Sequence, residues 1–448
     1  MTISLIGFAV VLILAFLRLP IAFAMGAVGA VGFAALNGWN WRASLSPAAG
    51  TVLDTLQTES LSVIPLFVLM GMLVSRAGLA SELYRASNAF LGHRKGGLSM
   101  ATIVACGGFS AICGSSLATA ATMSKVAMPE MRRFGYSDRL ATASIAAGGT
   151  LGILIPPSVI LIIYGIMTEQ SIDKLFLAGI VPGLIGIVFY LAAVRWTVWR
   201  QPDAGPAGVR VGWRERLVAL RSVWGIVLLF VAILGGIYLG VYTTTEAAGI
   251  GASGALLIAL LRGQLGWAGL LDALIETVKT TAMLFAVLIG AQIFQRFIVR
   301  AGMPDDLLVF VTAFDIAPIL VIFLILLVYI IVGCVLESLS MLLLTVPVFA
   351  PLVADLGLFP AFAGVQAEEV ALIWFGIIVV VVTEISLITP PVGLNVFVLR
   401  GVLGDVTTGT IFKGVTPFWI ADIFRLLLLV LVPTLVLIVP LSMRPFAG

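Results

Sequence analysis

Ten apolar stretches of about 15 to 30 residues recur along the chain, and they constrain its fold more than any other feature. A helix needs about 20 mainly apolar residues to cross a lipid bilayer. Only 10% of the residues are charged and 61% are hydrophobic, which excludes an ordinary soluble, disordered or fibrous protein. We predict helical spans at 3–17, 20–36, 53–75, 140–165, 176–194, 222–242, 246–261, 279–299, 370–399 and 417–440.

Two further apolar stretches, 97–128 and 317–350, are interrupted in the middle by small polar residues. The first interruption is 114–119 (GSSLAT) and the second is 333–340 (GCVLESLS). Non-helical backbone at membrane depth is tolerated only where it is buried in protein or lines water. We interpret both stretches as re-entrant hairpins, which enter and leave the membrane on one side.

A double proline lies within the helix that follows each hairpin. Pro156-Pro157 falls in the predicted helix 140–165, and Pro390-Pro391 falls in 370–399. Two successive prolines remove two backbone donors and clash with the preceding turn, so both helices must break there. The carbonyl oxygens freed at a break are hard ligands for a cation.

The two halves of the chain share three motifs in the same order, at offsets of 224 to 235 residues. The motif pairs are 76–79 (RAGL) with 300–303 (RAGM), 154–157 (LIPP) with 388–391 (ITPP), and 178–182 (AGIVP) with 413–417 (KGVTP). Each half holds an odd number of crossings, so we predict an all-α polytopic membrane protein with two repeats of inverted topology. Such repeats are typical of secondary transporters, because they can expose one site alternately to either side.

The predicted organisation has three parts. The first repeat is 1–194, with scaffold spans at 1–91, a hairpin and broken helix at 97–165 and a closing span at 176–194. A linker follows at 195–221. The second repeat is 222–448, with scaffold spans at 222–313, a hairpin at 317–350, a broken helix at 370–399 and a closing span at 417–440.

Positive charge sets the predicted orientation, because cytoplasmic loops of membrane proteins are rich in Lys and Arg. Most of the chain's cations fall on one side if both termini lie outside, and the linker 195–221 alone holds six arginines. We therefore predict that this linker is cytoplasmic and contacts anionic lipid head groups. A net charge of +3 is too small to indicate a nucleic-acid partner.

Other classes of protein fit less well. An intramembrane serine protease would use 251–254 (GASG), but its histidine would have to be His93, the only one in the chain, which lies in a loop. A passive channel needs a continuous pore and no coupling, whereas paired hairpins and broken helices suit alternating access. We predict that the chain is not an enzyme.

The tips and breaks predict two cation sites, one in each half. Glu337 is an ionisable residue at predicted membrane depth, which favours a functional role; the alternative is a carboxylate that caps nearby backbone N–H groups. Neither tip carries Lys or Arg, so an anionic substrate would be held by helix N-termini, hydroxyl groups and bound cations. The residues alone do not distinguish sodium from a proton as the coupling ion.

At these residues the sequence resembles the large membrane subunit of the tripartite ATP-independent periplasmic (TRAP) transporters, the DctM-like family. The resemblance covers essentially the whole chain and is carried by 107–110 (GGFS), 124–131 (SKVAMPEM), 135–136 (GY), 152–158 (GILIPPS), 178–183 (AGIVPG) and 389–395 (TPPVGLN).

This resemblance implies a sodium-driven, elevator-type importer in a bacterial or archaeal inner membrane. It implies two partners, a small four-helix membrane subunit and a periplasmic substrate-binding protein, and an organic acid anion such as a C4-dicarboxylate, a sugar acid or sialic acid as substrate. The alternative is a standalone ion-coupled carrier of the divalent-anion superfamily, which would have nearly the same architecture. The substrate itself is not readable from this chain.

The resemblance also implies site residues. The sodium ligands carried over are Ser115, Ser116, Thr119, Gly148, Thr150, Gly333, Glu337, Thr389, Pro391 and Gly393. The predicted substrate-binding residues are Ser116, Thr119, Pro156, Pro157, Pro390 and Asn395. Sodium is the only cofactor expected.

Overall fold

The computed structural model describes residues 2–362 and 365–443, which fold into α-helices and short 3-10 turns with no β-strand in these ranges. The first half holds α1 (Thr2–Phe16), α2 (Ile21–Leu36), α3 (Trp41–Gln57), α4 (Val63–Arg76), α5 (Leu79–Leu91), α6 (Gly97–Cys113), α7 (Ser116–Arg133), α8 (Asp138–Thr150), α9 (Val159–Thr168) and α10 (Ile172–Arg200). The second half holds α11 (Trp213–Ser222), α12 (Trp224–Tyr238), α13 (Thr244–Leu261), α14 (Trp267–Arg300), α15 (Met303–Ala313), α16 (Pro318–Gly333), α17 (Ser338–Asp355), α18 (Val365–Leu387), α19 (Leu394–Leu403), α20 (Thr408–Leu431) and α21 (Thr434–Ser442).

One order of elements occurs twice along the chain. A helix that ends at the RAG motif, a shorter helix, a helical hairpin, a broken helix and a closing helix appear as α4 to α10 and again as α14 to α20. Both breaks contain a cis peptide bond, at Pro156-Pro157 and at Pro390-Pro391. The hairpins and the broken helices therefore lie where the sequence predicts them, while the inverted relation of the two halves stays a prediction.

The shared RAG motif is a turn in both halves. Gly78 has φ +71° and Gly302 has φ +72°, and a short helix starts directly after each. A left-handed backbone is costly for residues with a Cβ atom, which explains the glycine at this point of the motif. The turn separates α4 from α5 and α14 from α15.

Several helix boundaries differ from the predicted ones. α14 begins at Trp267 rather than at 279, and the predicted span 53–75 is divided between the end of α3 and α4, which begins at Val63. α3 lies in a stretch rich in Ser, Thr and Ala that hydropathy does not mark as apolar. α10 continues to Arg200 and α11 begins at Trp213, so only residues 201–212 of the predicted linker lie outside these two helices. The predicted last span 417–440 is divided in two, because α20 ends before Pro433 and α21 begins after it.

Seven helices of the described chain are long and apolar enough to cross a membrane, or eight if α11 and α12, which meet at 52°, form one span. The predicted spans 3–17 and 20–36 form helices of 15 and 16 residues. The hairpin helices α6 and α16 and the half-helices α9 and α19 are also short and apolar. Short apolar helices are expected where segments enter a membrane protein without crossing it.

The core of the fold is α18, whose apolar segment is completely buried. Its Trp374 Nε1 donates a hydrogen bond to the carbonyl of Leu429 on α20 at 3.1 Å. α18 also contacts α9 and α10 from the first half. The two broken helices and the two closing helices therefore form one interleaved unit.

A few predicted features fall outside the described residues. Positions 363, 364 and 444–448 of the predicted second repeat and Met1 of the predicted first repeat lie outside the described residues, so the predicted location of both chain ends lies outside them as well.

Candidate functional site

A cavity of about 280 Å³ lies where the two hairpin tips meet. Residues 113–118 line it from the first tip, and residues 337–339 line it from the second. α4 and α14 form the facing wall, and the start of α9 closes one end. The fold thus brings the predicted residues Ser115, Ser116 and Glu337 to a single cavity.

The first tip is a tight turn between α6 and α7. Gly114 ends α6 at φ +62°, and Ser115 then adopts an extended conformation. The Ser115 hydroxyl accepts a hydrogen bond from the backbone N–H of Ala118 at 3.4 Å, which caps α7. Thr119 is fully buried, and its hydroxyl donates to the Ser115 carbonyl at 2.8 Å. Thr119 therefore stabilises the tip and is not among the cavity-lining residues.

The second tip presents Glu337 to the cavity. Glu337 directly precedes α17, but its side chain makes no capping hydrogen bond to that helix. Glu337 therefore does not have the alternative role considered above, that of a carboxylate that caps backbone N–H groups. Among the described residues that line the cavity, Glu337 is the only carboxylate, and none is Lys or Arg.

Three helix N-termini converge on the cavity. α7 begins at Ser116, α17 begins at Ser338 and α9 begins at Val159, and all three residues line the cavity. The N-terminus of a helix carries unpaired N–H groups and a partial positive charge, both of which favour bound anions. The cavity therefore combines the negative charge of one carboxylate with the partial positive charges of three helix N-termini.

The first broken helix touches the first tip through glycine. A Cβ atom on Gly152 would lie 2.7 Å from the Ser115 carbonyl oxygen, and one on Gly114 would lie 2.9 Å from that of Pro157. Only glycine permits these approaches, so the break and the tip are packed backbone to backbone. Beyond the break, the Ser158 hydroxyl accepts a hydrogen bond from Leu161 N at 3.3 Å and caps α9.

The second break is arranged in a related way. A Cβ atom on Gly333 would lie 2.6 Å from Ser386 Cβ, so the second tip packs against the end of α18. Thr389 accepts a hydrogen bond from Trp419 Nε1 at 3.0 Å. Gly393 has φ +61° and precedes α19. Of the predicted sodium ligands, Thr389 and Gly393 lie at the second break and Gly333 lies at the second tip. None of the three lines the cavity.

The remaining predicted residues are also away from the cavity wall. Asn395 is fully buried, and its Nδ2 donates to the Ala146 carbonyl at 3.0 Å, which ties α19 to α8. A Cβ atom on Gly148 would lie 2.8 Å from Cys106 Sγ, so this glycine allows α8 and α6 to pack closely. Four further predicted residues form the two double prolines, of which Pro156 and Pro157 are buried whereas Pro390 and Pro391 are exposed. None of these residues lines the cavity.

Sequence reasoning missed a group of buried charged residues behind the site. Glu384 on α18 and both Asp422 and Arg425 on α20 are fully buried. Arg425 Nη2 forms ion pairs with the carboxylates of Glu384 and Asp422, the latter at 2.9 Å. An ionisable residue within a membrane span is itself a functional signal, and that rule would have found them.

The oxygen atoms at the tips suit a sodium ion. Unwound backbone carbonyls and the ends of half-helices are the groups that coordinate sodium in transporters with broken helices. Among the residues that line the cavity, the Ser115 and Ser116 hydroxyls and the Glu337 carboxylate are the candidate ligands. This donor set fits a hard monovalent cation.

Comparison with known proteins decides the family. A family model described as "Tripartite ATP-independent periplasmic transporter, DctM component" matches residues 8–435. The chain belongs to the DctM family. The C4-dicarboxylate TRAP transporter large permease protein DctM of Pseudomonas aeruginosa is 35% identical over 400 residues, which cover 89% of this chain and 90% of that protein. The sialic acid TRAP transporter large permease protein SiaM of Vibrio cholerae is 31% identical over 399 residues, which cover 88% and 89%.

Membership of the DctM family confirms the predicted resemblance and makes this chain a large permease component of a TRAP transporter, not an enzyme. The fold is similar to that of the YdaH transporter of Alcanivorax borkumensis, with a TM-score of 0.61 and 18% identity over 87% of this chain and 89% of that chain. The likeness supports the predicted all-helical transporter fold. The Gly251–Ser253 stretch of the protease alternative is an ordinary part of α13 in this DctM-family chain.

Proposed function

We propose that this DctM-family chain is the membrane subunit that carries an organic acid anion inward, driven by sodium. The observation that carries the proposal is the cavity at the two tips, whose described lining residues include one carboxylate, that of Glu337, and no Lys or Arg. The same cavity collects three helix N-termini, which favour an anion.

Glu337 makes the binding of an anion dependent on a cation. Two like unit charges 4 Å apart repel by about 4 kcal/mol at an effective dielectric constant of about 20. A sodium ion bound beside Glu337 cancels this repulsion and adds attraction of its own. A carboxylate substrate is therefore expected to bind only after sodium, which is the thermodynamic basis of coupled transport.

The position of the cavity fits a moving site. One wall belongs to the hairpins and the start of α9, and the facing wall belongs to the predicted scaffold helices α4 and α14 through Met72 and Met283. This facing wall is mainly apolar, with Ser75 and Thr280 as its polar side chains. Such a boundary allows the hairpin unit to slide past the scaffold, as an elevator mechanism requires.

The partners follow from the family. A component of a tripartite periplasmic transporter is expected to work with a small four-helix membrane subunit and a periplasmic substrate-binding protein in a bacterial or archaeal inner membrane. The matched relatives carry names for a C4-dicarboxylate, sialic acid, isethionate and ectoine. The first two support the proposed organic acid anion, without a closer assignment. The acidic outer segments, which include Glu368 in the first turn of α18, are the proposed contact for the binding protein.

Replacement of Glu337 by Gln tests the proposed site. We expect Glu337→Gln to lower the initial rate of sodium-driven uptake into proteoliposomes at least about tenfold, the effect of losing one charge-assisted contact. Glu215→Gln, an exposed residue of α11, is the matched control and should leave uptake unchanged. Normal sodium-dependent uptake in Glu337→Gln would show that the cavity is not the site.

A further inference from the structure

Two buried polar contacts occupy matching positions in the two halves of the chain. Thr150 Oγ1 lies 2.9 Å from the Tyr190 hydroxyl, and Glu384 pairs with Arg425. Thr150 and Glu384 are 234 residues apart, and each lies six residues before the first proline of its double proline. Tyr190 and Arg425 are 235 residues apart, and each lies eight residues after the proline of its closing helix. The closing helix in each half therefore holds the broken helix at the same point.

The two contacts are joined to each other. Tyr190 donates a hydrogen bond to Asp422 Oδ2 at 2.6 Å, and Asp422 pairs with Arg425 at 2.9 Å. The Arg425 guanidinium also lies over the Tyr190 ring, 5.8 Å from its centroid. All of these residues are fully buried. One continuous polar network, which we call the inter-repeat clamp (Thr150, Tyr190, Glu384, Asp422 and Arg425), thus links α8, α10, α18 and α20.

The helix α10 is shaped to receive Arg425. A Cβ atom on Gly186 would lie 2.2 Å from Arg425 Nη1 and 3.1 Å from a methyl carbon of Leu151. Leu151 is the first residue of the 3-10 turn that opens the first break. Because Gly186 has no side chain, the Arg425 guanidinium of the second half can pack against α10 next to the break of the first half.

Each end of the clamp lies two residues before a residue that packs on a hairpin tip. Gly152 follows Thr150 by two residues and packs on Ser115 of the first tip. Ser386 follows Glu384 by two residues and packs on Gly333 of the second tip. A shift of either broken helix along its axis is therefore passed to one tip and, through the clamp, to the other.

We propose that Tyr190, Asp422 and Arg425 are positioning residues that couple the two tips, so that sodium binding at one half favours sodium binding at the other. This inference rests on the proposed sodium-coupled transport. Coupling of this kind needs a physical connection between the sites, and the clamp supplies one through buried charges that cannot be solvated if they separate. Cooperative binding would fill both of the ion sites predicted from the sequence before the unit moves.

The test is the sodium dependence of uptake by the full chain with its small subunit and binding protein in proteoliposomes. Tyr190→Phe removes the hydroxyl that links the two halves and keeps the ring. Gly186→Ala displaces Arg425 without changing any polar group and serves as a second, independent variant. We expect both to raise the half-saturating sodium concentration by about tenfold, the effect of losing a hydrogen bond to a charged group, and to lower the Hill coefficient, while the maximal rate is retained.

Two control variants make the same chemical changes at other positions: one removes a tyrosine hydroxyl and the other adds a methyl group to a glycine. Tyr329→Phe deletes a fully buried hydroxyl that has no hydrogen-bond partner in the described structure. Gly409→Ala adds a methyl group on α20 where no atom lies within 4 Å. Both should keep the wild-type sodium dependence.

The outcomes separate this inference from the proposed function. Sodium-dependent uptake by the wild type, with an unchanged Hill coefficient and half-saturation in Tyr190→Phe and Gly186→Ala, overturns the coupling role alone. A fall in the maximal rate only, with unchanged sodium dependence, also overturns it, because that result indicates a purely structural clamp. Uptake by the wild type that ignores sodium overturns both proposals.

Discussion

The Tyr190 hydroxyl on α10 donates a hydrogen bond of 2.6 Å to the Asp422 carboxylate on α20, and both side chains are fully buried. Tyr190 belongs to the first half of the chain and Asp422 to the second. A hydrogen bond to a carboxylate in a medium of low dielectric constant is stronger than one in water and costly to break. The two halves of the chain are thus held together by a buried hydrogen bond.

The buried ion pair predicts a large effect on stability. Glu384→Leu leaves Arg425 with only one of its two carboxylates, and removing one partner of a buried pair costs about 3–5 kcal/mol. We expect a clearly lower thermal unfolding midpoint for the purified protein in detergent. Arg133→Ala is the control, because Arg133 is 77% exposed and 3.9 Å from Glu130, so its loss should change stability by less than about 1 kcal/mol. Equal midpoints for both variants would contradict the importance of the pair.

The contact between the first break and the first tip predicts a steric effect on transport. Gly152→Ala places a methyl group 2.7 Å from the Ser115 carbonyl oxygen, which must force the tip and the break apart. Overpacking of this kind costs about 1–3 kcal/mol, and we expect uptake to fall by about tenfold or more. Gly401→Ala, on α19 with no atom within 4 Å, should have no effect on uptake. Full activity of Gly152→Ala would show that the tip tolerates displacement.

The Asn395 contact predicts a second effect on transport. Asn395→Ala removes the hydrogen bond from Nδ2 to the Ala146 carbonyl. This bond joins α19, which follows the second break, to α8, which precedes the first break. The Ala146 carbonyl then loses this partner, at a cost of about 1–3 kcal/mol. We expect weaker sodium-dependent uptake with normal amounts of protein in the membrane. Unchanged uptake and unchanged cation dependence would show that transport does not depend on the Asn395 contact.

An exposed ion pair predicts a pH effect at one end of the hairpin unit. Arg132 Nη1 lies 2.8 Å from Asp405 in the loop between α19 and α20, and this hydrogen bond lowers the Asp405 pKa below its ordinary value of 3.8. A carboxylate with a lowered pKa in the folded state stabilises the fold above its unfolded pKa, and the contribution is lost as the pH falls through the folded value. The stability difference between wild type and Asp405→Asn should be constant down to about pH 4 and shrink below it. Thermal unfolding of both proteins across this range measures it, and a difference that grows on acidification would contradict the assignment.

Much of the fold follows from the sequence because its determinants are local. A double proline breaks a helix wherever it stands, so Pro156-Pro157 and Pro390-Pro391 locate both breaks. The glycine of the RAG motif locates two turns for a similarly local reason. α3 was missed because its polar and small residues give no apolar run, and its helical state depends on contacts such as Thr55 Oγ1 to Gln292 Oε1 at 2.6 Å.

The candidate site was predictable only in part because it depends on which elements meet. Ser115, Ser116 and Glu337 were expected at the tips, and the tips share one cavity. The clamp was not expected, because Glu384 lies 41 residues before Arg425 in the sequence and their pairing exists only once α18 packs on α20. The spacing of Asp422 and Arg425, three residues apart in an apolar helix, was a local signal that could have indicated it.

Reconstituted uptake tests the central claim most directly. The chain and its small subunit are placed in proteoliposomes, and labelled organic acids are offered with and without an inward sodium gradient and with and without the candidate binding protein. We expect uptake only when both sodium and the binding protein are present. Uptake without the binding protein would place the chain among standalone carriers, and proton-driven uptake independent of sodium would contradict the assignment of sodium as the coupling ion.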